Sequence, residues 1–484
     1  MLFVVLVCGF LGITSADPFR EELVYPELLQ ERSENGELLL RIQDTTLRLK
    51  KSTVLAHDLF LDTTSDGDES EYTLWNGTSL EENLYHDSEH QSSIMFHQVN
   101  STVKVEGILS PDWRIAALSS VERSEDAAVP HRVYRIQGTD IMNDLAFRDL
   151  NINIPVFRRP RRTTLDRIIP RKKLPKEYVA EIFLVSDRRH QKQFATDKEL
   201  IAYFAVMMNA VNVWYEGMKK PKVRTKIVGI SRFKKGINDV TAGRFLLGEA
   251  TLKKFIDYFN RTLSRDPDAV YVFTGQNLAT LDYTGKVSGN LLGIAILSSL
   301  CTDLKVGLGE DTAGTFSGAY IAAHEIGHIL GSSHDGSPGH PSIPNNRGGR
   351  PCPWREGYLM SYVDGGLKKY QLSPCTRAQI RGLISIISDK CLAETSSSST
   401  KTRSGILPGQ VITAEDFCSG IMASKGRGVP LLRPHELAKC RMRCCLQSSY
   451  GSAMCQKELV PNGMSCAPGK TCRKGVCGKH DLKS

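Results

Sequence analysis

TFSGAYIAAHEIGHILGSSHD, residues 315–335, is the stretch on which the reading of this chain turns. Residues 315–330 carry apolar side chains at helical spacing. On such a helix His324 and His328 stand one turn apart, so both imidazoles leave the same face and can grip one ion. Glu325 follows the first of them and falls beside the open side of that ion. Gly331 comes next; glycine accepts left-handed backbone angles, so it can end the helix and send the chain back. The reversal brings His334 round as a third ligand. Three imidazoles with a water in the fourth place describe a catalytic zinc site, because a structural site closes with four protein ligands. Zinc in such a site activates water and polarises a carbonyl. Glu325 is the candidate general base that takes the water's proton and passes it to a leaving amine. A bare HExxH arises by chance in unrelated proteins; the added glycine and third histidine make coincidence far rarer.

Around this stretch, residues 177–394 read as one α/β domain. EYVAEIFLVSD (177–187), KVRTKIVGISRF (222–233), AVYVFTG (269–275) and GIAILSSLC (293–301) have strand character. ELIAYFAVMMNAVNVWYEGM (199–218) reads as an amphipathic helix, and GRFLLGEATLKKFIDYFNRTL (243–263) as another. Mixed strand and helix order fits a twisted sheet covered by helices. Before it, residues 17–162 form a cysteine-free, β-rich pro-segment ending in Arg159-Pro160-Arg161-Arg162. That sequence resembles the cleavage site of furin-like proprotein convertases, which predicts a cut after Arg162 and a basic linker, 163–176, at the start of the mature chain. Residues 1–16 read as a secretory signal peptide, apolar with small residues before Asp17. Residues 395–410 are a Ser/Thr-rich linker, and 411–484 a cysteine-rich module too small to build much core without disulfides.

Composition agrees with export. There are 13 cysteines, of which Cys8 leaves with the signal, so an even set remains. Asn76, Asn100 and Asn260 head glycosylation sequons. The net charge is +9, and residues 418–484 hold 12 Lys+Arg against 3 Asp+Glu. That basic tail fits a solvated surface or a patch for sulfated glycans and anionic membrane surfaces. No G-x-x-x-x-G-K-[ST] loop appears and nothing points to nucleic acid.

HEIGHILGSSHD matches the metzincin pattern HExxHxxGxxH, and the trailing Asp335 resembles the reprolysin (adamalysin) branch, which includes snake-venom metalloproteases, ADAMs and ADAMTS enzymes. The resemblance implies a metzincin fold with zinc in a cleft between upper and lower subdomains. It implies a Met-turn, for which Met360 in GYLMSY is the candidate. It implies calcium at Glu181, Asp268 and Cys391, although Glu394 stands where the family usually has Asn. It implies a Cys301–Cys391 bridge, leaving Cys352 with Cys375, whereas sequence alone leaves the pairing of the four open. GIAILSSLC resembles the edge strand along which metzincins lay an extended substrate. The C-terminal PNGMSC…CRKGVC is similar to ADAMTS cysteine-rich segments and to those of tick salivary metalloproteases, and the whole layout looks most like the tick enzymes. Matrix metalloproteinases and astacins share HExxHxxGxxH, but Asp335 and the cysteine-rich tail speak against them.

Together these readings imply a secreted endopeptidase made as a zymogen. Its expected substrates are extracellular proteins of matrix or blood, such as fibrinogen and fibronectin. Many family pro-segments carry a cysteine that closes the zinc site. This one has none, so latency is expected from steric occlusion by the pro-segment. The competing reading is a non-catalytic receptor- or matrix-binding protein acting through the cysteine-rich module. Residues 363–370 (VDGGLKKY) are expected to line the pocket that sets cleavage preference, where a side-chain-sized difference is worth only about 1–3 kcal/mol.

Overall fold

The computed structural model describes residues 19–30, 37–64, 70–99, 102–118, 128–136, 170, 173–233, 239–263, 266–282, 284–394, 413–422, 428–446, 455–460, 463–473 and 476–479. The signal peptide, Asn100, Arg162 with its basic run, and the 395–410 linker lie outside these residues.

Alternating apolar residues build the segment before residue 163, expected from sequence to be a pro-segment and called so below. Leu38, Leu40, Ile42, Leu47 and Leu49 point into a core closed by Phe96, Trp113 and Val133, while Arg48 and Lys50 face out. This core lies within a nine-stranded sheet in which every recorded pairing is antiparallel. Its later strands include β3 (Leu84–Asp87), β4 (Ser92–Val99), β5 (Thr102–Ser110) and β6 (Trp113–Ala117).

Two strands of the pro-segment leave that sheet. β1 (Leu55–Thr64) and β2 (Ser70–Asn76) join the sheet of the following domain. That sheet contains β7 (Glu177–Ser186), β8 (Lys222–Arg232), β9 (Ala269–Thr274), β10 (Gly293–Ala295) and β11 (Val306–Glu310), in the order β10-β11-β9-β7-β8-β1-β2. The inner pairings are parallel and the two outermost antiparallel. Central β7 is buried after its first residue, as a parallel strand covered on both faces must be.

The helix α1 (Asp197–Trp214) starts at a capping box made by Thr196 and Glu199. The expected amphipathic face is absent. Leu200 and Ile201 are buried, as are Tyr203 to Val211 and then Val213 and Trp214, because β3, β4 and β5 of the pro-segment cover the side turned away from the sheet. A helix apolar all round is a buried helix.

Two further expectations are corrected. The helix read over 243–263 is α2 (Gly248–Thr262); Phe245–Leu247 before it forms a short strand paired with Thr241–Ala242 and Leu278–Leu281. The strand read over 293–301 ends at Ala295. Beyond it Ser298 (φ 60°) and Cys301 (φ 56°) turn the chain, and the Ser298 amide donates to His328 O at 2.8 Å, so this segment is spent on the zinc-site helix rather than on the sheet.

The cysteine-rich module has two three-stranded sheets around a core of Cys418, Cys440, Met442, Cys444, Cys466 and Cys472. Its four disulfides are Cys418–Cys444, Cys440–Cys472, Cys445–Cys455 and Cys466–Cys477. Its strand β12 (Cys455–Leu459) runs against β2 of the pro-segment. Among the described residues no helix is long and apolar enough to cross a membrane.

Candidate active site

The helix α3 (Gly318–Ile329) carries the HExxH run beneath β10 and β11. Its start is fixed by Asp311, whose Oδ1 accepts from Gly318 N at 2.7 Å and from Ser317 Oγ at 3.2 Å. Asp311 Oδ2 meets His190 Nε2 at 2.8 Å and accepts from Tyr203 OH at 2.8 Å, tying α3 to the β7–α1 connection and to α1. Sequence reading missed this anchor, because Asp311 lies seven residues before Gly318 and outside any capping spacing.

The helix ends as a Schellman motif. Gly331 has φ 103°, its amide donates to His328 O at 2.9 Å, and Ser332 N donates to Gly327 O at 2.9 Å. The reversal delivers His334. The three rings lie with centroids 4.6–5.1 Å apart, and His324 Nε2 is 3.1 Å from His334 Nε2. Two nitrogens bound to one tetrahedral zinc at 2.0–2.1 Å would be about 3.3 Å apart.

Each Nδ1 is held from behind: His324 by Leu359 O at 2.7 Å, His328 by Ser332 O at 2.7 Å and His334 by Tyr362 OH at 2.6 Å. With Nδ1 engaged, Nε2 is the metal-facing atom. The donor set and these supports fit zinc. Tyr362 was not singled out from sequence; its place two residues after Met360 was the available signal.

Met360 lies under the helix, where a Cβ added to Gly327 would meet its Sδ at 2.8 Å. Met360 O accepts from Asp335 N at 2.8 Å, and Asp335 Oδ1 accepts from Ser373 Oγ at 2.7 Å at the start of α4 (Pro374–Ile384). Burial raises the Asp335 carboxyl to about 6. Glu325 sits against the edge strand, and a Cβ on Gly293 would meet its Oε1 at 2.6 Å. Glu325 and the three histidines are 0–2% exposed. Of the loop expected to line the specificity pocket, Tyr370 turns inward, packs at a tilt against Trp214 with ring centroids 5.1 Å apart and donates to Asp112 of the pro-segment at 2.8 Å.

Cys301 is bonded to Cys391 and Cys352 to Cys375. The first bridge adjoins Asp268, whose Oδ2 accepts from Glu181 N at 3.0 Å and from Tyr178 OH at 2.9 Å. Burial, helped by the nearby Glu181 carboxylate, raises Asp268 to about 7. Glu181 and Asp268 are both buried. Glu394 is instead ion-paired with Lys226. Asn76 and Asn260 are exposed; Asn76 caps a short helix through Ser79 N, and Asn260 Nδ2 donates to Asp303 O.

A twisted mixed sheet, a helix presenting two histidines, a glycine reversal delivering the third and a methionine turn beneath them define a zinc metalloendopeptidase. Residues 205–386 match the family model described as Metallo-peptidase family M12B Reprolysin-like. The chain is 26% identical over 404 residues to Venom metalloproteinase BumaMPs1 of Olivierus martensii, covering 81% of this chain and 97% of that protein. It is 23% identical to Venom metalloproteinase antarease TserMP_A of Tityus serrulatus, covering 79% and 96%. Against "A disintegrin and metalloproteinase with thrombospondin motifs like" of Bombyx mori it is 27% identical over 70% of this chain, and spans 50% of that protein. Metalloproteinase-II from Bacteroides fragilis, a solved structure, overlaps 72% of this chain and 91% of its own at 10% identity and a TM-score of 0.35. In residues 205–386 the chain is similar to the reprolysin-type metzincins, as are the relatives it matches. These relatives add scorpion-venom likeness to that of ADAMTS enzymes; the tick likeness rests on the C-terminal motif and the layout.

Proposed function

We propose that this metalloendopeptidase is secreted as a zymogen, is cut after Arg162 by a proprotein convertase, and then cleaves extended segments of extracellular matrix or blood proteins. The single observation behind the catalytic assignment is the convergence of His324, His328 and His334 beside Glu325. Zinc, when bound, supplies a Lewis acid that acidifies water and polarises the scissile carbonyl. The chain's own residues do the rest. His324, His328 and His334 present Nε2 to the ion, Met360 supports the helix from below, and Glu325 takes a proton from water and delivers it to the departing amine nitrogen. β10, terminal in its sheet among the described residues, offers backbone groups for an extended peptide next to Glu325.

Export is supported by the six disulfides, which persist in oxidising compartments. Latency by occlusion is supported by the near-complete burial of Glu325 and the triad in the full-length chain. β1 and β2 do not contribute to it at the substrate edge, since they occupy the opposite end of the sheet. Calcium at Glu181, Asp268 and Cys391 is part of the proposal, supported by the buried acid pair. So are glycans at Asn76, Asn100 and Asn260, and sulfated glycans on the basic module.

A binding role for the module beside catalysis is favoured by its exposed Leu431, Leu432 and Val476. A digest of casein and a peptide library by the cut enzyme tests the main reading, with a zinc chelator and Glu325→Ala as controls. Both controls should lose cleavage by at least about a thousandfold; cleavage that survives Glu325→Ala would remove the assignment.

A further inference from the structure

We infer that the described strands of the pro-segment are a lasting subunit: after the cut, β1 to β6 stay bound along the edge of β8 and the outer side of α1. This rests on the reading that the chain is cut at Arg162. What a cut removes is one chain connection, and the contacts that hold the two pieces together lie elsewhere.

The first contact is the sheet. β1 runs parallel to β8 with Phe60–Thr63 opposite Gly229–Arg232, and Ile227 N donates to Val54 O at 2.7 Å. Departure of the pro-segment would leave β8 as an open edge of a parallel sheet, a template for aggregation. The second contact is α1. Val206 O accepts from Ser93 Oγ at 2.8 Å, and Asn209 Nδ2 donates to the same Oγ at 2.9 Å. Leu55, Leu59, Leu61, Leu84, Met95 and Ile108 of the pro-segment belong to one continuous core with Phe204, Met208 and Ile230. A mature domain designed to stand alone would turn a polar face outward here, and VMMNAVNVW offers almost none.

The third contact is Arg114, wholly buried at the start of β6. Its guanidinium donates to three carbonyls of its own segment (Ser110, Pro111 and Trp113) and to two across the interface, Thr315 O at 2.9 Å and Phe316 O at 3.3 Å. Those two carbonyls immediately precede α3. β1 and β2 sit at the opposite end of the sheet from β10, so these two strands, if retained, leave the substrate edge uncovered. The cysteine-rich module, whose β12 runs against β2, would keep its seat in the same way.

The test treats purified precursor with a furin-type convertase and runs each sample on a denaturing gel and on a native sizing column. The gel should show two pieces and the column one peak at the size of the uncut chain. Amide exchange over Gly229–Arg232 should stay as slow as before the cut. Separate elution of a soluble 163–484 piece overturns the inference, and so does co-elution with those amides now exchanging fast. An uncut chain on the gel counts against the processing reading alone; a different protease site placed at 159–162 then decides retention.

Discussion

The third imidazole is held by a side chain where the other two are held by backbone carbonyls, and this singles out Tyr362. Its ring lies 4.3 Å from that of His334, so Tyr362→Phe keeps the packing and removes only the hydroxyl. Zinc affinity should fall about ten- to a hundredfold with little change in melting temperature, measured by competition with a chelator; unchanged affinity would show that the ring alone positions His334. Asp268 gives a pH signature. Its carboxyl is held to about 7 by burial against an ordinary value of 3.8, so the folded chain keeps a proton that the unfolded chain releases. Between about pH 4 and 7 rising pH therefore favours unfolding, and the effect levels off above 7. Relative to Asp268→Asn, the wild type should lose up to about 4 kcal/mol of stability across that window, read from urea unfolding at several pH values. A parallel pH dependence in the two proteins would refute the shift. Calcium should offset the wild-type loss at pH 7.5 and leave the Asn variant unmoved. At this scale the ligands and Glu325 were legible, because an i, i+4 spacing on a helix fixes direction. Tyr362, Asp311 and Arg114 were not, since each acts on a group brought near only by the fold.

Among the elements, α3 is delimited by Asp311 at its start and Gly331 at its end, and its two glycines near that end differ in tolerance. At Gly331 the backbone angle is left-handed and an added Cβ would meet Leu383 Cβ at 3.0 Å. Gly331→Ala should cost about 1–3 kcal/mol and misplace His334, lowering both zinc retention and cleavage. At Gly327 the obstacle is Met360 Sδ, the end of a flexible side chain, so Gly327→Ala should be the milder of the two in both measurements. Equal losses would mean that the helix tolerates neither and that the backbone angle is not what distinguishes them. Element type was read well where the pattern was long, as in β7, β8 and α3. It failed at Phe245–Leu247 and after Ala295, where short apolar runs fit strand and helix alike, and the choice is made by partners far along the chain: Leu278–Ala279 for the first, His328 O for the second.

Over the whole molecule, the sequence divides into segments that the structure does not keep apart. A cysteine-free stretch ending in a basic run reads as a detachable pro-segment, yet its strands β1 and β2 continue the catalytic sheet and its β3–β5 cover α1. The available sign was the helix itself, whose apolar residues leave no outward face. Arg114 is where this union can be probed. Its charge is wholly buried and its hydrogen bonds go to carbonyls, among them those of Thr315 and Phe316, with the Asp112 carboxylate also favouring the charge. Arg114→Ala removes the donors and leaves buried oxygens without them, at a cost of about 1.5–3 kcal/mol by the usual worth of hydrogen bonds to a charged group. If the pro-segment were an independent unit, that loss would appear as earlier melting of the pro-segment by itself. Because the two segments share one core, the uncut variant should still unfold in a single transition at lower temperature. Amides of the first turn of α3, from Ala319 to Ile321, should exchange faster although the substitution lies some 200 residues earlier. A separate low-temperature transition with α3 exchange unchanged would mean that the shared sheet does not couple the segments.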